Sequence, residues 1–401
     1  MSTIVVVGIG ADGWAGLGDG ARAALTTARV VVGSQRQLAL LPAEVAAERR
    51  PLPSPLEPFL DALADGRKPG VAVLASGDPM LHGIGASLAR RVGPEHLEVH
   101  PHPSAFALAC ARLGWPAAEV DLVSAVGRSP AVVARLLQPG RRMVAYVTGA
   151  DGARSLARLL VDRGHGPSRL VVLERLGAAD ERAVESTAAT FDADADPLHA
   201  VAIEVRPAAG TPLHPLVPGL PDDAYENDGQ LTKRHVRAAT LAALAPAPHA
   251  HLWDVGAGSG SISIEWLRAE RSARATAIES RAERAARIER NATALGVPDR
   301  LAVVLGTAPG ALAGLEAPSA VFVGGGATAP GLLDACWDAL RPGGRLVVNA
   351  VTLESEQVVA AARNARGGTL TRIEIAHAEP IGGFTGWRAQ MPVVQWAVAK
   401  P

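Results

Sequence analysis

The chain has 401 residues, more than a single hydrophobic core usually supports, so two domains are expected. Its net charge of −1 at pH 7 excludes a global positive field that would draw it to nucleic acid or to an anionic membrane. Cys110 and Cys336 stand far apart within apolar helical patterns, so we interpret them as small buried side chains rather than as a disulfide or a nucleophile. No CxxC or HExxH pattern occurs, and no metal site is predicted.

The N-terminus predicts a cytoplasmic location. Met1, Ser2 and Thr3 lead directly into a strand-like segment at 4–7, without the pattern of a signal peptide. No apolar run is long enough to span a bilayer. We therefore expect neither a membrane nor a nucleic-acid partner.

Strand-like and helical segments alternate through residues 1–206, which predicts an α/β domain. The strand at 4–7 runs into Gly8 and Gly10, and a second strand at 71–75 runs into Gly77, Asp78 and Pro79. Glycines at strand ends permit a close approach between backbone and ligand. An Asx-type turn is an alternative role for Asp78.

Residues 207–222 are rich in proline and glycine and show neither a helical nor a strand period, which predicts a stiff linker or a domain-entry loop. Beyond it, Thr232 is predicted to cap a helix. The strands that follow are predicted at 251–255, 273–279, 301–305, 319–323 and 344–350, with an antiparallel edge strand at 391–398. The pattern of residues 223–401 therefore predicts a doubly wound sheet that binds ligands at the carboxyl ends of its strands.

The turn after the strand at 251–255 is the most informative motif. Asp254 precedes three alternate glycines, Gly256, Gly258 and Gly260, and a helical pattern follows. Such a turn brings backbone N–H groups close to a nucleotide. At the end of the next strand, Glu279 is placed to accept hydrogen bonds from ribose hydroxyls. A nicotinamide oxidoreductase competes with this interpretation, but its usual fingerprint has two residues between the second and third glycines.

Other strand ends carry further candidate site residues. Gly306 and Thr307 follow the third strand. Asn349 would be costly to bury without a partner, and its place at a strand end favours the site over the alternative of a hydrogen-bonded core amide. The glycines at 324–326 form either a tight turn or a surface facing the substrate. Three basic residues near the predicted helix start are candidates for contact with an anionic substrate, although a solvated helix face is the alternative: Lys233, Arg234 and Arg237.

The second half resembles the Rossmann-like S-adenosylmethionine-dependent methyltransferases. The resemblance rests on Asp254 with its glycines, on Glu279 and on the late Pro342-Gly343-Gly344 turn. It implies S-adenosylmethionine as the cofactor. The residues it assigns to cofactor binding are Thr232, Asp254, Gly256, Gly258, Gly260, Glu279, Gly306 and Thr307.

The first half resembles the tetrapyrrole methylases, a fold of two α/β subdomains. The segments that carry this resemblance are 5–10, 33–36, 75–79, 103–106 and 146–149, in the same order as in that family. The resemblance implies a second S-adenosylmethionine site in the cleft between the subdomains. Its expected cofactor-binding residues are Gly8, Gly10, Gly77, Asp78, Pro79 and Ser104.

A tetrapyrrole methylase joined to a Rossmann-like methyltransferase is similar to the decarboxylating precorrin-6Y C(5,15)-methyltransferase family of cobalamin biosynthesis. Segments 174–177, 228–234 and 391–396 add to that resemblance. It implies C5 methylation by residues 1–206, and C15 methylation with decarboxylation of the C12 acetate by residues 223–401. Precorrin-6B would be converted into precorrin-8X by a homo-oligomer.

Three positions depart from the family patterns. His235 stands where glutamate usually follows Thr-Lys-Arg, and Val126 stands where histidine is frequent. Gly306-Thr307-Ala308 lacks the acid that many Rossmann-like methyltransferases carry there.

The sequence leaves open the choice between metal-free and cobalt-containing precorrin, and the order of decarboxylation and methylation. A methyltransferase acting on RNA or protein would explain only the second half, and a non-catalytic scaffold would not need both glycine turns.

Overall fold

The computed structural model describes residues 3–66 and 70–401, so Met1 and Ser2, which are expected to lead directly into the first strand, lie outside the described residues. The chain divides into two compact units. The first comprises Met1–Gly127 and Pro139–Thr211, and the second comprises Arg128–Gln138 and Pro212–Pro401. No described helix is both long and apolar enough to cross a bilayer.

Strands and helices alternate through both units. In the first unit the strands are β1 Ile4–Ile9, β2 Val30–Gly33, β3 Glu48–Pro51, β4 Val71–Ser76, β5 Leu97–His100, β6 Val120–Ser124, β7 Arg142–Tyr146, β8 Arg169–Glu174, β9 Arg182–Thr187 and β10 His199–Glu204. Its helices are α1 Asp19–Thr27, α2 Gln35–Ala39, α3 Glu57–Gly66, α4 Ile84–Val92, α5 Ala105–Leu113 and α6 Gly152–Asp162.

The second unit continues the numbering. Its strands are β11 His251–Val255, β12 Arg274–Glu279, β13 Leu301–Leu305, β14 Ala320–Val323, β15 Arg345–Ala350, β16 Thr369–Ile373, β17 Ala376–Ile381, β18 Phe384–Ala389 and β19 Val393–Ala399. Its helices are α7 Arg234–Leu244, α8 Ser261–Ala269, α9 Ala282–Ala294, α10 Leu332–Ala339 and α11 Leu353–Arg366.

The first unit contains two sheets. Strands β3-β2-β4-β1-β5 form an all-parallel sheet, in which Val7 of β1 pairs with Leu74 of β4. Strands β6-β7-β10-β8-β9 form a mixed sheet with β10 antiparallel to both of its neighbours. Buried apolar side chains line the central strands of both sheets, as covered α/β layers require. The predicted pair of α/β subdomains is confirmed.

The second unit is built on a seven-stranded sheet in the order β13-β12-β11-β14-β15-β19-β16, and β17 and β18 form a separate antiparallel hairpin. Its first five strands are parallel, so their carboxyl ends lie along one edge. Trp253 of β11 and Trp396 of β19 are buried in the core on one face of the sheet, and Trp266 of α8 is buried on the other. The predicted Rossmann-like architecture is confirmed, and each predicted parallel strand is observed to within one residue.

The C-terminal strand differs from its prediction. β19 is antiparallel, as expected, but it pairs with β15 on one side and with β16 on the other. The expectation of an edge position was wrong because the exposed strand β16 occupies the edge instead. The alternation of residues within 391–398 could indicate an antiparallel strand, but it could not indicate which other segment would pair with its outer edge.

The helix start near Thr232 also differs. Helix α7 begins at Arg234, its N-cap is Lys233, and no side chain caps it. Thr232 therefore does not perform the predicted capping role. Its carbonyl oxygen accepts a hydrogen bond from the Arg237 side chain at 2.5 Å instead.

Two segments extend the second unit beyond the predicted boundary at 223. Residues 128–138 pack with it, and the Nε of Arg135 donates to the carbonyl oxygen of Arg268 at 2.9 Å. Part of the predicted linker is also buried there, since Leu220 belongs to the core around α8. Cys110 and Cys336 are both buried and free, in agreement with their sequence interpretation.

Candidate functional site

A cavity of about 660 Å³ lies at the carboxyl ends of β11 to β15 in the second unit. This is the edge at which a doubly wound sheet binds ligands. Eight of the predicted site residues line the cavity: Thr232, Lys233, Gly256, Gly258, Glu279, Gly306, Thr307 and Asn349. The glycines at 324–326 line it as well.

The glycine turn between β11 and α8 forms one wall of the cavity. Gly256, Gly258 and Gly260 have φ angles of 72°, 60° and 76°, which other residues rarely adopt. A Cβ at Gly258 would lie 3.1 Å from the carbonyl oxygen of Gln230. The turn and the loop at 228–233 are therefore in close contact, and only glycine fits between them without displacement.

Glu279 organises this wall. Its side chain is 4% exposed, and its Oε2 accepts a hydrogen bond from the Gly258 N–H at 2.9 Å. Its Oε1 accepts one from the Arg281 N–H at 3.0 Å. The carboxylate thus positions the glycine turn and also faces the cavity, where ribose hydroxyls could reach it.

Asp254 supports the turn from behind and does not line the cavity. Its Oδ2 accepts hydrogen bonds from the N–H and the hydroxyl of Ser263, at 3.0 and 2.7 Å. Its Oδ1 is buried without a hydrogen-bond partner among the described residues. Burial raises the pKa of this carboxyl to about 6. Gly260 also lies outside the cavity and packs against Ile288.

Arg237 does not line the cavity. Its guanidinium is completely buried, and its Nε donates to Oε1 of Glu265 at 2.6 Å. It also bonds Asp222 at 3.1 Å and the carbonyl oxygen of Leu220. The interpretation of Arg237 as a substrate contact was wrong because a buried carboxylate on α8 holds it in the core.

Of the three basic residues predicted to contact the substrate, Lys233 is the one that lines the cavity. Its Nζ is 4.0 Å from the Asp222 carboxylate. Arg234 is exposed but does not line the cavity. His235 lies next to the His377 ring, with the two ring centroids 5.6 Å apart.

Asn349 lines the cavity with its amide already satisfied. Its Nδ2 donates to the Thr240 hydroxyl at 3.0 Å, and its Oδ1 accepts from the Gln395 side chain at 2.9 Å. The structure therefore favours a role for Asn349 in shaping the cavity wall.

Sequence reasoning missed several residues of this cavity. Gln230 and Met391 lie in segments that carried the family resemblance, so the sequence did contain an indication that they lie near the site. The sequence contained no such indication for Arg284, because a basic residue on an amphipathic helix usually faces solvent. In the structure Arg284 lines the cavity and is paired with Asp228 at 2.8 Å.

The first unit has its own cavity, of about 250 Å³. Gly10, Gly77 and Ser104 line it, and Val126, where the family often has histidine, lines it too. Ser104 also caps α5 by accepting a hydrogen bond from the Ala107 N–H at 3.1 Å.

Gly8, Asp78 and Pro79 do not line this cavity. A Cβ at Gly8 would lie 2.2 Å from the carbonyl oxygen of Gly77, so Gly8 permits the close approach of β1 to the turn after β4. Asp78 Oδ1 accepts a hydrogen bond from the Met80 N–H at 2.8 Å, which is the Asx-type turn given as its alternative role.

Four polar residues that line the first cavity were not among the predicted site residues. These are Arg36, Ser76, Tyr146 and His199. The Nδ1 of His199 lies 2.7 Å from the Asp196 carbonyl oxygen, and its Nε2 is buried without a hydrogen-bond partner among the described residues. Arg36 lies within one of the segments that resemble the tetrapyrrole methylases, whereas Asp196 and His199 lie outside them.

Comparison with known proteins agrees with this two-unit arrangement. The family model described as tetrapyrrole (corrin/porphyrin) methylases matches residues 3–192, and the model described as precorrin methyltransferase domain matches residues 223–400. The C-terminal domain of precorrin-6Y C5,15-methyltransferase from Rhodobacter capsulatus is 49% identical, covering 47% of this chain and all of that domain, with a TM-score of 0.45.

Two relatives align over nearly the whole chain. The precorrin-6Y C(5,15)-methyltransferase [decarboxylating] of Sinorhizobium sp is 48% identical over 398 residues, which cover 99% of this chain and 96% of the relative. The Mycobacterium tuberculosis protein of the same name is 44% identical over 402 residues and is covered completely. Such identity across both units shows that the chain is a methyltransferase belonging to the decarboxylating precorrin-6Y C(5,15)-methyltransferase family of cobalamin biosynthesis.

Proposed function

We propose that the two units carry separate reactions on one tetrapyrrole. Residues 1–206 methylate C5, and residues 223–401 methylate C15 and decarboxylate the C12 acetate, so that precorrin-6B becomes precorrin-8X. The observation that carries this proposal is the presence of two separate cavities in one chain, each beside a glycine turn at the carboxyl end of a parallel sheet.

The residues of the second cavity fit S-adenosylmethionine. The positive φ angles at Gly256 and Gly258 shape a turn into which a larger residue would not fit, and the Glu279 carboxylate faces the cavity. We propose that these residues hold the cofactor, which supplies a methyl group on an activated sulfonium. Gly10, Gly77 and Ser104 would hold a second molecule in the first cavity.

The chain's own contribution in the second unit is positioning and exclusion of water. Phe322, Val236 and Leu332 give the cavity an apolar wall. An apolar wall around the reacting carbon limits water access, and fixed geometry lowers the barrier to an in-line transfer. Lys233 at the same cavity is the cation we assign to a carboxylate of the substrate.

Decarboxylation requires that the departing carboxylate is not stabilised by a strong cation, since a salt bridge would lower the energy of the ground state. Arg284 lines the cavity, but Asp228 neutralises it. When the carbon–carbon bond breaks, carbon dioxide leaves and the bonding pair passes into the conjugated macrocycle. The macrocycle therefore serves as the electron sink.

We further propose that the chain acts as a cytoplasmic homo-oligomer without a nucleic-acid or membrane partner. Exposed apolar side chains on the β17–β18 hairpin support a contact with a second copy, since Phe384 is 84% and Trp387 is 77% exposed. Light scattering tests this: Trp387→Ser should lower the measured mass of the assembly, and an unchanged mass would exclude the hairpin as the contact.

The decisive experiment is incubation of the full chain with precorrin-6B and S-adenosylmethionine, followed by product mass and assignment of the methylated carbons. The proposal predicts two added methyl groups and the loss of one carboxyl group as carbon dioxide. Parallel incubations with the cobalt-containing analogue identify the preferred substrate, and early time points give the order of decarboxylation and methylation. A product that lacks one or both of the added methyl groups would contradict the proposal.

A further inference from the structure

Arg36 is a half-buried cation that lines the cavity of the first unit. Its Nη2 donates to the Ser76 hydroxyl at 3.3 Å, and no carboxylate lies within 4.0 Å of it among the described residues. Arg112 and Arg169 of this unit, by contrast, are paired with acids, with Glu181 at 2.6 Å and with Glu185 at 2.6 Å.

The surroundings of Arg36 disfavour its charge. Burial, and then the neighbouring Arg175, lower its pKa, and Asp196 compensates only in part. Arg175 itself already has two acidic partners, Asp180 at 3.0 Å and Asp196 at 3.7 Å. A cation held in such a place is stabilised when an anion completes the site.

The hydrogen bond to Ser76 does not account for Arg36. The Nε2 of Gln37 donates to the same hydroxyl at 3.0 Å, which is shorter than the bond from Arg36. Gln37 also accepts a hydrogen bond from the Ser34 N–H at 2.7 Å and so fixes the start of α2. The turn after β4 is therefore held without the guanidinium of Arg36.

We propose that Arg36 binds a carboxylate of the ligand that occupies the first cavity. Ser76 ends β4 and precedes Gly77, so Arg36 lies beside the turn assigned to the cofactor. A planar guanidinium is suited to bidentate contact with a carboxylate. The side chains of a tetrapyrrole and the amino-acid end of S-adenosylmethionine both present this group. The inference rests on the function proposed for the first unit.

The test uses the full chain with Arg36→Gln, Arg36→Lys and a matched control, Arg90→Gln. Arg90 is an exposed arginine of α4 that also donates to a serine hydroxyl at 3.3 Å and has no acidic partner within 4.0 Å among the described residues. C5 methylation is measured, with the KM of the tetrapyrrole and the inhibition constants of S-adenosylhomocysteine and 5′-methylthioadenosine. The second inhibitor lacks the carboxylate of the first.

Loss of a charged hydrogen bond should change one of these constants by about 10-fold to 100-fold in Arg36→Gln. A higher KM for the tetrapyrrole alone identifies its side chains as the source of the carboxylate. Weaker inhibition by S-adenosylhomocysteine, with 5′-methylthioadenosine unchanged, identifies the cofactor. Constants equal to those of Arg90→Gln would overturn the inference.

Two further measurements distinguish the loss of a carboxylate contact from misfolding. C15 methylation should be unaffected in Arg36→Gln, which reports that the second unit is intact, and urea unfolding equal to that of Arg90→Gln reports that the first unit is folded. If Arg36→Gln does not fold, Arg36→Lys tests the carboxylate contact instead, because lysine keeps the positive charge but lacks the planar guanidinium. Unchanged constants in Arg36→Lys would contradict a bidentate contact. A wild-type chain that does not methylate C5 would refute the proposed function of the first unit, whatever the Arg36 variants show.

Discussion

Asp254 is a carboxylic acid that the fold buries completely, and among the described residues only the Ser263 N–H and hydroxyl donate to it. Desolvation is the largest cause of its raised pKa, and the nearby Glu279 raises it further. The folded state therefore holds the proton more tightly than the unfolded state, whose pKa is near the ordinary aspartate value of 3.8. Stability should fall as the pH rises from about 4 to about 6, and this group should add little further change once the pH is well above 6.

Asp254→Asn should remove this pH dependence. The asparagine oxygen can still accept from Ser263, and no charge is buried, so the free energy of unfolding at pH 7 should rise by about 1–3 kcal/mol. Urea unfolding between pH 4 and pH 7, followed by tryptophan fluorescence, measures the change. Asp338→Asn, an exposed acid of the same unit, is the control. An Asn variant that loses as much stability as wild type between pH 4 and pH 6 would show that Asp254 ionises normally.

Glu279 is the residue from which we expect the largest effect on cofactor affinity in the second unit. Glu279→Ala removes a charged hydrogen-bond acceptor and releases the Gly258 N–H, so binding should weaken by about 1.5–3 kcal/mol. Calorimetric titration of the full chain with S-adenosylhomocysteine measures this, and the first-unit site serves as the internal control. Unaltered affinity at the second-unit site would reduce Glu279 to a support for the turn.

At the scale of elements, the segment that leads into α7 is tied to α8 by one buried carboxylate. Glu265 accepts from the N–H groups of Gly219 and Leu220, from the Tyr225 hydroxyl and from Arg237. Arg237 in turn holds the carbonyl oxygen of Thr232, at the end of the 228–233 loop that borders the cavity. Burial, together with Glu265, raises the pKa of Tyr225 well above its usual value.

A double-mutant cycle tests this connection. Arg237→Met leaves a buried carboxylate without its cation and should cost about 3–5 kcal/mol of unfolding free energy. Adding Glu265→Gln neutralises that carboxylate and keeps its acceptor oxygen, so the double variant should be more stable than Arg237→Met alone. Urea unfolding measures all variants. Purely additive losses would show that the two side chains do not act as a pair.

At the scale of the whole molecule, two cofactor sites should act independently. The full chain should bind two equivalents of S-adenosylhomocysteine. Gly258→Trp should block the second-unit site because its side chain would meet the carbonyl oxygen of Gln230. Gly77→Val should block the first-unit site because Gly77 has a φ of 60° and lies against Ser104. Each variant should bind one equivalent and add one methyl group to the substrate.

Glycines in open space provide the controls for that experiment. At Gly310 and Gly18 an added Cβ would have no neighbouring atom within 4 Å, so Gly310→Trp and Gly18→Val should both bind two equivalents and add two methyl groups. Calorimetry and product mass measure the outcome. A folded Gly258→Trp variant that still adds both methyl groups would refute the assignment of C15 chemistry to the second unit.

Much of this architecture was predictable because it depends on residues that are neighbours in the sequence. The period of the apolar residues determines each strand, and Gly256, Gly258 and Gly260 permit a backbone shape that other residues rarely adopt. Glu279 ends a strand whose position follows from the same pattern. Local conformational preference was sufficient for these features, and the doubly wound architecture followed from alternating strands and helices.

Only the tertiary structure decided which polar side chains remain available to a ligand. Arg237 resembles an exposed cation in the sequence, yet Glu265, 28 residues away, holds it in the core. Arg36 resembles an ordinary helix residue, yet it lies beside Ser76, 40 residues away, at the rim of a cavity. Burial and ion pairing depend on packing between distant segments. The sequence by itself therefore determined the elements and their glycine turns, while long-range packing decided the roles of the charged residues around them.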